Sequence, residues 1–406
     1  MQAASMERKK ILFVAEAVTL AHVGRPLALA QMLDRQQYDV HFACAPGFDM
    51  FFKGSEVTRW TLNSISSARF LAALAAGKPV YDATTLSQYV VDDLRLLQAL
   101  KPDVVIGDFR LSLSVSARVA QVPYVGLINA YWSPYVAQRY RVPAIALSRV
   151  LPIALADTLF NLVRPLAFAL HSRPLNRVRQ AYQLPSLGRD LRRIYTDADY
   201  VLYSDIREMF PAHELPLSHS YLGPVTWSPP TELPSWWDSL PVARDMVYVT
   251  LGSSGQGALL PKVLQALAPL PLTVIAASAG NVDPGLLPDN ARVASYLPGE
   301  QAAQRSRLVI CNGGSPTSQQ ALAAGVPVLG IAGNLDQYLN MDGVVRAGAG
   351  VLLRSDRLSE EGLRVAALQL LSRPEPRAVA GRIAQQFQRY DAGARLAYLL
   401  AQIAGP

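Results

Sequence analysis

The stretch from Arg307 to Gly350 reads RLVICNGGSPTSQQALAAGVPVLGIAGNLDQYLNMDGVVRAGAG. Val309–Cys311 end a short apolar run that is typical of a buried strand, and Asn312-Gly313-Gly314 then break it. A second apolar run, Val326–Ile331, follows some ten residues later. The pattern predicts a strand, a glycine turn, a helix and a second strand in this order.

The residues around this turn indicate how the helix begins and ends. Ser315 is favoured at a helix N-cap, Pro316 suits the first helical turn, and Gly325 suits the position after the last turn. Backbone N–H groups at a helix N-terminus, approached through glycines, bind anions and suit a diphosphate. The alternative is an ordinary strand–turn–helix unit in which Ser315 is only a cap.

The ordered series resembles the donor-binding signature of family 1 glycosyltransferases, the UDP-glycosyltransferase superfamily, and in particular its bacterial natural-product and macrolide branch. Asn312–Gly325 stands where that family has a His-x-Gly box followed by an acidic or amide residue and Ala-Gly. Asp336-Gln337 stands at the family's Asp-Gln pair, ahead of an Asn and a Gly-x-Gly turn, here Asn340 and Gly348-Ala349-Gly350. Asn312 replaces the family's histidine; an amide donates a hydrogen bond but carries no charge.

The resemblance implies that nucleotide-sugar contacts come from the second half of the chain. Gln320 would lie near the ribose hydroxyls, Asp336 and Gln337 would hold sugar hydroxyls, and Tyr296-Leu297 would lie beside the nucleobase. The alternatives are helix capping for Asp336 and Gln337, and simple packing for Tyr296. The expected donor site comprises Ser253, Ser254, Tyr296, Leu297, Asn312, Gly313, Gly314, Ser315, Gln320, Asp336 and Gln337.

Strands and helices alternate on both sides of a proline-rich segment, which predicts α/β domains with doubly wound parallel sheets. The resemblance implies the GT-B fold, two Rossmann-like domains that face a central cleft. We expect an acceptor-binding domain at 1–225, a linker at 226–245, a nucleotide-sugar-binding domain at 246–375, and C-terminal helices at 376–406. In this family the last helix crosses back to the first domain.

Basic charge is concentrated in one part of the chain. The 406 residues carry a formal charge of +7, but Arg139–Arg193 alone holds ten arginines and two acids. No nucleic-acid-binding motif accompanies this segment, so we expect it to serve an amphiphilic acceptor or a membrane surface. A solvated helical face is the alternative. Charged residues interrupt the longest hydrophobic region, 143–170, and we therefore expect no membrane-spanning segment.

The first half supplies candidates for catalysis. His22 follows a predicted strand, Ile11–Ala15, and precedes a helix predicted over Val23–Asp34, while Asp108 ends another strand. Ligands of parallel sheets bind beyond the carboxyl ends of strands, where a carboxylate behind a histidine orients it as a base. The resemblance implies that His22 is the base and Asp108 its partner. The alternatives are a loop histidine and a helix-capping aspartate, and Thr19 is a second candidate for the base.

We therefore expect an inverting, metal-independent glycosyltransferase that moves a hexose from a UDP- or dTDP-sugar to a hydroxyl of a mostly hydrophobic acceptor. We expect no metal site and no cofactor besides the donor, small-molecule partners without nucleic acid, and a cytoplasmic protein with peripheral contact at the inner membrane surface. A sugar-nucleotide epimerase of the same architecture and a degenerate, non-catalytic relative remain alternatives.

Overall fold

Each half of the chain folds around one parallel sheet. The computed structural model describes residues 8–241, 245–252, 256–280 and 286–405. The first sheet consists of β1 (Lys9–Ala15), β2 (Tyr38–Cys44), β3 (Thr58–Thr61), β4 (Val104–Asp108), β5 (Tyr124–Ile128), β6 (Tyr200–Tyr203) and β7 (His219–Tyr221). The second consists of β8 (Met246–Thr250), β9 (Thr273–Ala277), β10 (Ala291–Ala294), β11 (Leu308–Cys311), β12 (Val328–Ala332) and β13 (Gly350–Arg354).

Helices cover both faces of these sheets, as parallel strands require. The first half contains α1 (Leu20–Met32), α2 (Ser67–Ala76), α3 (Ala83–Leu100), α4 (Leu113–Val119), α5 (Ala146–Val150), α6 (Ile153–Ala181) and α7 (Leu191–Tyr195). The second half contains α8 (Leu260–Leu267), α9 (Gly299–Gln304), α10 (Ser315–Ala323), α11 (Leu335–Ala347), α12 (Glu360–Ser372), α13 (Pro374–Phe387) and α14 (Ala392–Ala404).

The strand order places a switch point in each sheet. The orders are β3-β2-β1-β4-β5-β6-β7 and β10-β9-β8-β11-β12-β13, so the direction of winding reverses between β1 and β4 and between β8 and β11. Ala15 pairs with Asp108 at the first switch point, and Thr250 pairs with Cys311 at the second. Crevices open beyond the carboxyl ends of strands at such points. The prediction of doubly wound parallel sheets in α/β domains is thus confirmed for both halves of the chain.

The helix after β1 begins earlier than predicted. Thr19 has extended dihedrals and is its N-cap, so α1 starts at Leu20 rather than Val23 and His22 lies in its first turn, not in a loop. Pro26 lies inside the helix and has no N–H to donate to the carbonyl of His22. The prediction of a loop histidine was wrong, and the helix itself now fixes the position of the His22 side chain.

The helix after β4 does not begin directly at the end of the strand. Phe109 adopts a left-handed conformation with φ of 57°, which an α-helix cannot contain, and α4 begins only at Leu113. Arg110, in the intervening segment, is buried and pairs with Glu16 and Asp93. Backbone conformation and an internal ion pair therefore override helix propensity here.

The final helix packs on the first domain. Leu396 and Leu400 of α14 are buried in the same apolar cluster as Val23 and Leu27 of α1. The segment that joins the two sheets contributes Trp227, whose ring lies so close to Gly24 that a β-carbon there would fall 2.3 Å from the indole. The linker and the last helix thus both contact α1.

Helix α6 bears on the expectation that the chain has no membrane-spanning segment. By length and composition it could cross a membrane, and it is the one such helix among the described residues. One side of it nevertheless packs on the first domain through buried residues that include Phe168, Leu175 and Val178. The charged residues that interrupt its apolar run do not lower its mean hydropathy enough to exclude a span by composition.

Candidate active site

A cavity of about 510 Å³ lies where the carboxyl ends of the two sheets face each other, and both halves of the chain line it. Asp108 and Gly313 lie behind its wall, and Ser253 and Ser254 fall outside the residues that the structure describes. The cavity brings together nine of the residues selected from the sequence: His22, Tyr296, Leu297, Asn312, Gly314, Ser315, Gln320, Asp336 and Gln337.

His22 and Asp108 form the contact expected of a base and its partner. His22 Nδ1 lies 2.8 Å from Asp108 Oδ1, with the imidazole 21% exposed toward the cavity and the carboxylate fully buried. Burial alone would raise the pKa of Asp108, but the charges of Arg25 and His22 outweigh it and hold the pKa below its usual value. Because an ionised carboxylate only accepts, a neutral His22 carries its proton on Nδ1 and keeps a lone pair on Nε2.

Phe109 fixes the imidazole from its face. The two rings are stacked with centroids 4.8 Å apart and planes 12° from parallel. The strained backbone of Phe109 is what turns this ring toward His22, and such strain is common at functional sites. The His22 ring is thus held on one edge by Asp108 and on one face by Phe109.

Arg25 is a third member of this cluster that the sequence did not reveal. Its Nε donates to Asp108 Oδ2 at 2.7 Å and its Nη2 to Asp108 Oδ1 at 2.9 Å. This bidentate contact neutralises a carboxylate that would otherwise be buried beside a single histidine. Arg25 lies one helical turn after His22, and an (i, i+3) arginine is the signal that could have indicated it.

We expect Arg25→Gln to lower the free energy of unfolding by about 1–3 kcal/mol at neutral pH, because it leaves the buried carboxylate of Asp108 without its strongest partner. Burial is the largest influence on the pKa of Asp108, so we expect that pKa to rise above its unfolded value when Arg25 is removed. The variant then loses stability as pH rises through the folded pKa. The wild type, in which that pKa is lowered, keeps its stability over the same range.

The deficit in melting temperature should therefore be larger at pH 8 than at pH 5, measured by circular dichroism. Arg95→Gln provides the control, because Arg95 is an exposed partner of Asp92 at 3.7 Å. A deficit for Arg25→Gln that does not change with pH would contradict the role assigned to Asp108.

Hydrogen bonds connect this cluster to the second domain. Arg25 Nη1 donates to Asn129 Oδ1 at 2.8 Å, and Ser315 Oγ lies 3.4 Å from the same oxygen. Asn129 follows β5 as Asp108 ends β4, so the strand-end rule that selected Asp108 could also have selected Asn129. The base cluster and the first residue of α10 are therefore neighbours across the cleft.

Close packing and side-chain hydrogen bonds hold the glycine turn before α10 in one conformation. Gly313 has φ of 81°, and a β-carbon there would lie 2.8 Å from Met341. Asn340 Nδ2 donates to the Gly313 carbonyl at 2.8 Å, and Asn312 Oδ1 accepts from the Gly314 N–H at 3.0 Å. The turn therefore requires glycine at 313, and the residue that replaces the family's histidine helps to hold its shape.

Ser315 is not the N-cap of α10. Gly314 has the extended dihedrals of the cap, and Ser315 is the first helical residue, with Pro316 next. The prediction failed by one residue because glycine, which needs no side-chain hydrogen bond, also serves as a cap. The Ser315 hydroxyl is consequently available to the cleft, where it approaches Asn129, rather than directed to its own helix.

Asp336 and Gln337 have different surroundings although they are adjacent. Asn334 caps α11, and Gln337 completes a capping box: its Oε1 accepts from the N–H groups of Gly333 and Asn334 at 2.8 and 3.2 Å. Asp336 Oδ1 instead accepts from the indole N–H of Trp132 in the first domain at 2.8 Å. The helix-capping alternative is thus realised for Gln337, whereas Asp336 forms a contact across the cleft.

Gln320 and Tyr296 line the cavity but also have structural partners. Gln320 Nε2 donates to the Trp227 carbonyl and, at 3.1 Å, to Ser228 Oγ, both in the linker. Tyr296 donates to the Ala279 carbonyl at 3.3 Å, and Leu297 beside it is buried. Gln320 and Tyr296 therefore line the cavity and also hold neighbouring segments in place through hydrogen bonds.

The wall in the first domain is apolar away from His22. The side chains there come from α2, from the segments after α2 and after β4, and from α6, and they are Phe70, Leu74, Val80, Phe109, Phe160, Val163 and Phe168. Phe160 and Phe168 lie in the 139–193 segment that the sequence assigned to an amphiphilic acceptor or a membrane surface, whereas nothing in the 47–80 region marked α2 as facing a cavity. The cavity thus has a polar side with hydrogen-bonding groups and a hydrophobic side.

Asp197 and Asp199, which lie just before β6, are not among the residues that line this cavity, and each has a partner within the first domain. Asp197 pairs with Arg118 at 3.0 Å and with Arg179 at 2.7 Å, and Asp199 accepts from the N–H of Tyr124 at 2.9 Å. Across the part of the chain that the structure describes, no group of three or more His, Cys, Asp or Glu side chains could hold a metal ion. These aspartates therefore stabilise the start of β6.

Comparisons with known proteins agree with this architecture. Residues 261–392 match the model of the Erythromycin biosynthesis protein CIII-like C-terminal domain. The chain is 53% identical over 386 residues to the PGL/p-HBAD biosynthesis rhamnosyltransferase of Mycobacterium bovis (strain BCG / Pasteur 1173P2), covering 95% of this chain and 86% of the relative. A PGL/p-HBAD biosynthesis glycosyltransferase of Mycobacterium tuberculosis (strain ATCC 25177 / H37Ra) is 51% identical over 380 residues, 94% of this chain and 89% of the relative.

A third relative, named an inactive PGL/p-HBAD biosynthesis glycosyltransferase, from the same Mycobacterium bovis strain, is 47% identical over 260 residues, 64% of this chain and 71% of the relative. Among solved structures, the spinosyn rhamnosyltransferase SpnG complexed with thymidine diphosphate superposes with a TM-score of 0.68 at 18% identity, over 97% of this chain and 99% of that one. The chain therefore belongs to the family of the PGL/p-HBAD biosynthesis glycosyltransferases, and it is a hexosyltransferase of GT-B fold.

Proposed function

We propose that this protein transfers a deoxyhexose of the rhamnose type from a dTDP- or UDP-linked donor to a hydroxyl group of a mostly hydrophobic acceptor. The observation that carries the proposal is the chain of contacts from His22 through Asp108, Arg25 and Asn129 to Ser315. These contacts support the proposal because they bring His22, the proposed base, close to the α10 N-terminus proposed for the diphosphate in the other domain. The name of the Mycobacterium bovis rhamnosyltransferase supports the sugar, and the thymidine diphosphate in the SpnG complex supports the dTDP-linked donor.

The apolar wall of the cavity supports a hydrophobic acceptor. Phenyl rings and branched side chains offer no hydrogen bonds, so they favour an aromatic or aliphatic body whose reactive hydroxyl reaches His22. His22 would take the proton of that hydroxyl as the new C–O bond forms, and Asp108 would stabilise the resulting imidazolium. The acceptor then attacks from the side opposite the diphosphate, which gives inversion at the anomeric carbon.

The leaving diphosphate would be stabilised by the first N–H groups of α10 and by Ser315. This arrangement supplies hydrogen bonds where negative charge develops, and we propose that transfer needs no metal ion and no cofactor besides the donor. Transfer that proceeds at an undiminished rate in EDTA, assayed by mass spectrometry of a glycosylated phenol, would support this. Loss of transfer in EDTA and its recovery with Mg²⁺ would contradict it.

The nucleotide should bind chiefly to the second domain. We expect dTDP or UDP at 100 times its Kd to stabilise the folded protein by about 2.7 kcal/mol, seen as a higher melting temperature. Gln320→Ala should reduce this shift, since it removes a polar group from the cavity wall and loosens the linker. Gln304→Ala on the exposed side of α9 is the control, and an equal loss in the two variants would contradict the assignment.

Asp336→Ala should affect the sugar more than the nucleotide. We expect turnover with the sugar nucleotide to fall by about tenfold or more, as when a hydrogen bond of 1.4 kcal/mol or more is lost, with little change in the Kd of free dTDP. Asp342→Ala, a carboxylate on the same helix that pairs with Arg346, is the control. A matching loss of dTDP affinity in Asp336→Ala would place this residue at the nucleotide instead.

The predicted cytoplasmic location and contact with the inner membrane surface remain proposals. The acceptor argument gives them a reason: a hydrophobic acceptor partitions into lipid, so an enzyme that uses it gains from proximity to a bilayer.

A further inference from the structure

Helix α6 leaves one apolar side without a partner. Its buried residues contact the first domain, while leucines and a valine on the other side are exposed to solvent, and 48 to 77% of Leu155, Leu162, Val163 and Leu166 is accessible. Leu162, Leu166 and Leu170 are spaced four residues apart and therefore form one row along the helix. A continuous apolar row of this kind is uncommon on a soluble surface and indicates an interaction site.

Positive charge continues the same row. Arg173 and Arg177 follow Leu166 and Leu170 at helical spacing, and both are exposed. The two acids of the 139–193 segment do not oppose them, because Asp157 accepts from the N–H of Val142 at 2.7 Å and Asp190 pairs with Arg192 at 2.8 Å. The exposed side of α6 is thus hydrophobic at its first turns and cationic at its last.

The cavity reaches the same surface. Val163 and His171 of α6 and Leu74 and Lys78 at the end of α2 line it, and His171 Nε2 lies 3.3 Å from the Gly77 carbonyl. Val163 is therefore both a cavity residue and, at 49% exposure, a member of the apolar row. The hydrophobic wall of the cavity continues without interruption onto the exposed side of α6.

We propose that the α6 face, defined as Leu155, Leu162, Val163, Leu166, Leu170, Arg173 and Arg177, docks on a bilayer that contains anionic phospholipid. The leucines enter the acyl boundary, and the two arginines contact phosphate groups. The cavity then opens at the lipid surface between α2 and α6, so that an apolar acceptor passes into it without crossing water. This last step rests on the proposed function, whereas the docking itself does not.

A parallel orientation of α6 on the surface fits better than a span. Phe168, Leu175 and Val178 are buried against the first domain, and buried Arg179 pairs with Asp197. Insertion across the bilayer would break these contacts. A second copy of the chain is a poorer occupant than lipid. Parallel pairing of two such faces brings like charges together, and antiparallel pairing lays arginines on leucines, whereas anionic lipid complements both ends of the face.

Sedimentation of the full-length protein with liposomes tests this docking. We expect most of it to bind vesicles of phosphatidylcholine with 30% phosphatidylglycerol at low salt, at least tenfold less to bind pure phosphatidylcholine, and 0.5 M NaCl to weaken binding. Equal binding to both vesicles, or none to either, overturns the proposal.

Two double variants separate the contributions of the face. Leu162→Ser with Leu166→Ser should lower binding at least tenfold, and Arg173→Gln with Arg177→Gln should remove the dependence on phosphatidylglycerol. Leu217→Ser, which alters a fully exposed leucine outside α6, is the control and should bind like the wild type. Wild-type binding by the leucine variant, or a lipid-free dimer that this variant abolishes, overturns the proposal; unchanged melting temperatures exclude misfolding.

Transfer assays distinguish failure of this proposal from failure of the proposed function. The leucine variant should glycosylate a water-soluble phenol at the wild-type rate but an acceptor embedded in anionic vesicles at least tenfold more slowly. Equal rates of both variant and wild type with the embedded acceptor overturn the docking and leave the transferase function intact. Normal vesicle binding by a wild type that transfers to neither acceptor supports docking and contradicts the function.

Discussion

His22→Ala is expected to lower kcat by roughly 10²–10⁴-fold, the usual contribution of general-base catalysis. An acceptor hydroxyl is a poor nucleophile until its proton leaves, and His22 is a histidine that both faces the cavity and contacts a buried carboxylate. The Kd for dTDP should change little, because the expected donor contacts belong to the other domain. Initial rates with a simple alcohol acceptor, together with calorimetric titration of dTDP, measure both quantities.

The partner of His22 should behave as part of the same unit. Asp108→Asn should also lower kcat, and the double variant should lose much less than the product of the two single losses, since residues that act together are not additive. A thiol or a low-pKa phenol should partly restore transfer by His22→Ala, because it needs less help to lose its proton. His213→Ala, an exposed histidine, is the control. Near-normal turnover in His22→Ala would contradict the role of His22 and favour Thr19, which also lines the cavity, as the base.

Arg110→Met is expected to cost about 3–5 kcal/mol of stability, the penalty of leaving buried charges without their partner. The Arg110 and Glu16 side chains are fully buried 2.9 Å apart, and Asp93 lies 3.0 Å from the same guanidinium. The Arg110 guanidinium also stacks on Tyr89 at 3.7 Å. Glu16 follows β1 and Arg110 follows β4, so this network ties together the two segments that carry His22 and Asp108.

Urea denaturation followed by tryptophan fluorescence gives the size of this loss. Arg69→Met is the matched control: its pair with Asp82 is exposed at the surface and should contribute less than about 1 kcal/mol. Adding Glu16→Gln to Arg110→Met should recover part of the loss, because it removes one of the unpaired charges. A loss in Arg110→Met no larger than that in Arg69→Met would contradict the account of this network.

The sequence predicted those parts of the fold in which local pattern and burial agree. The apolar runs at Ile11–Ala15 and Val309–Cys311 were assigned to strands, and they lie in β1 (Lys9–Ala15) and β11 (Leu308–Cys311). It did not predict β3, whose Thr58–Thr61 is mostly exposed and lacks an apolar run. The short helix α2 was missed for a related reason: it is apolar around much of its circumference, so no periodicity marked it.

The candidate site was predicted where a motif or a strand end marks it, and missed where a tertiary contact creates it. His22 and Asp108 were found although 86 residues separate them, because both follow strands at one sheet edge. The indole of Trp132 and Asp336 are 204 residues apart and come from different domains, so only the closed fold shows their contact. Arg25 was missed because its role depends on Asp108 being buried, which spacing alone does not reveal.

The Trp132 contact also bears on how the site works. In the present arrangement Asp336 accepts from the indole, so a sugar hydroxyl that binds this carboxylate either shares it or replaces Trp132. Trp132 lies in the first domain and Asp336 in the second, so the sugar contact proposed at Asp336 would link donor binding to the separation of the domains. That proposed contact would therefore involve both halves of the cleft.

The anomeric configuration of the product tests whether the acceptor attacks opposite the diphosphate with His22 as the base. We propose that the base that activates the acceptor and the helix that holds the diphosphate lie on facing sides of one cavity, and such an arrangement favours attack opposite the leaving group. Incubation of the protein with dTDP-rhamnose, EDTA and a simple phenol, followed by NMR of the glycoside, should show inversion relative to the donor, with product formation lost in His22→Ala. A product that retains the donor configuration, or one formed equally well by His22→Ala, would contradict it.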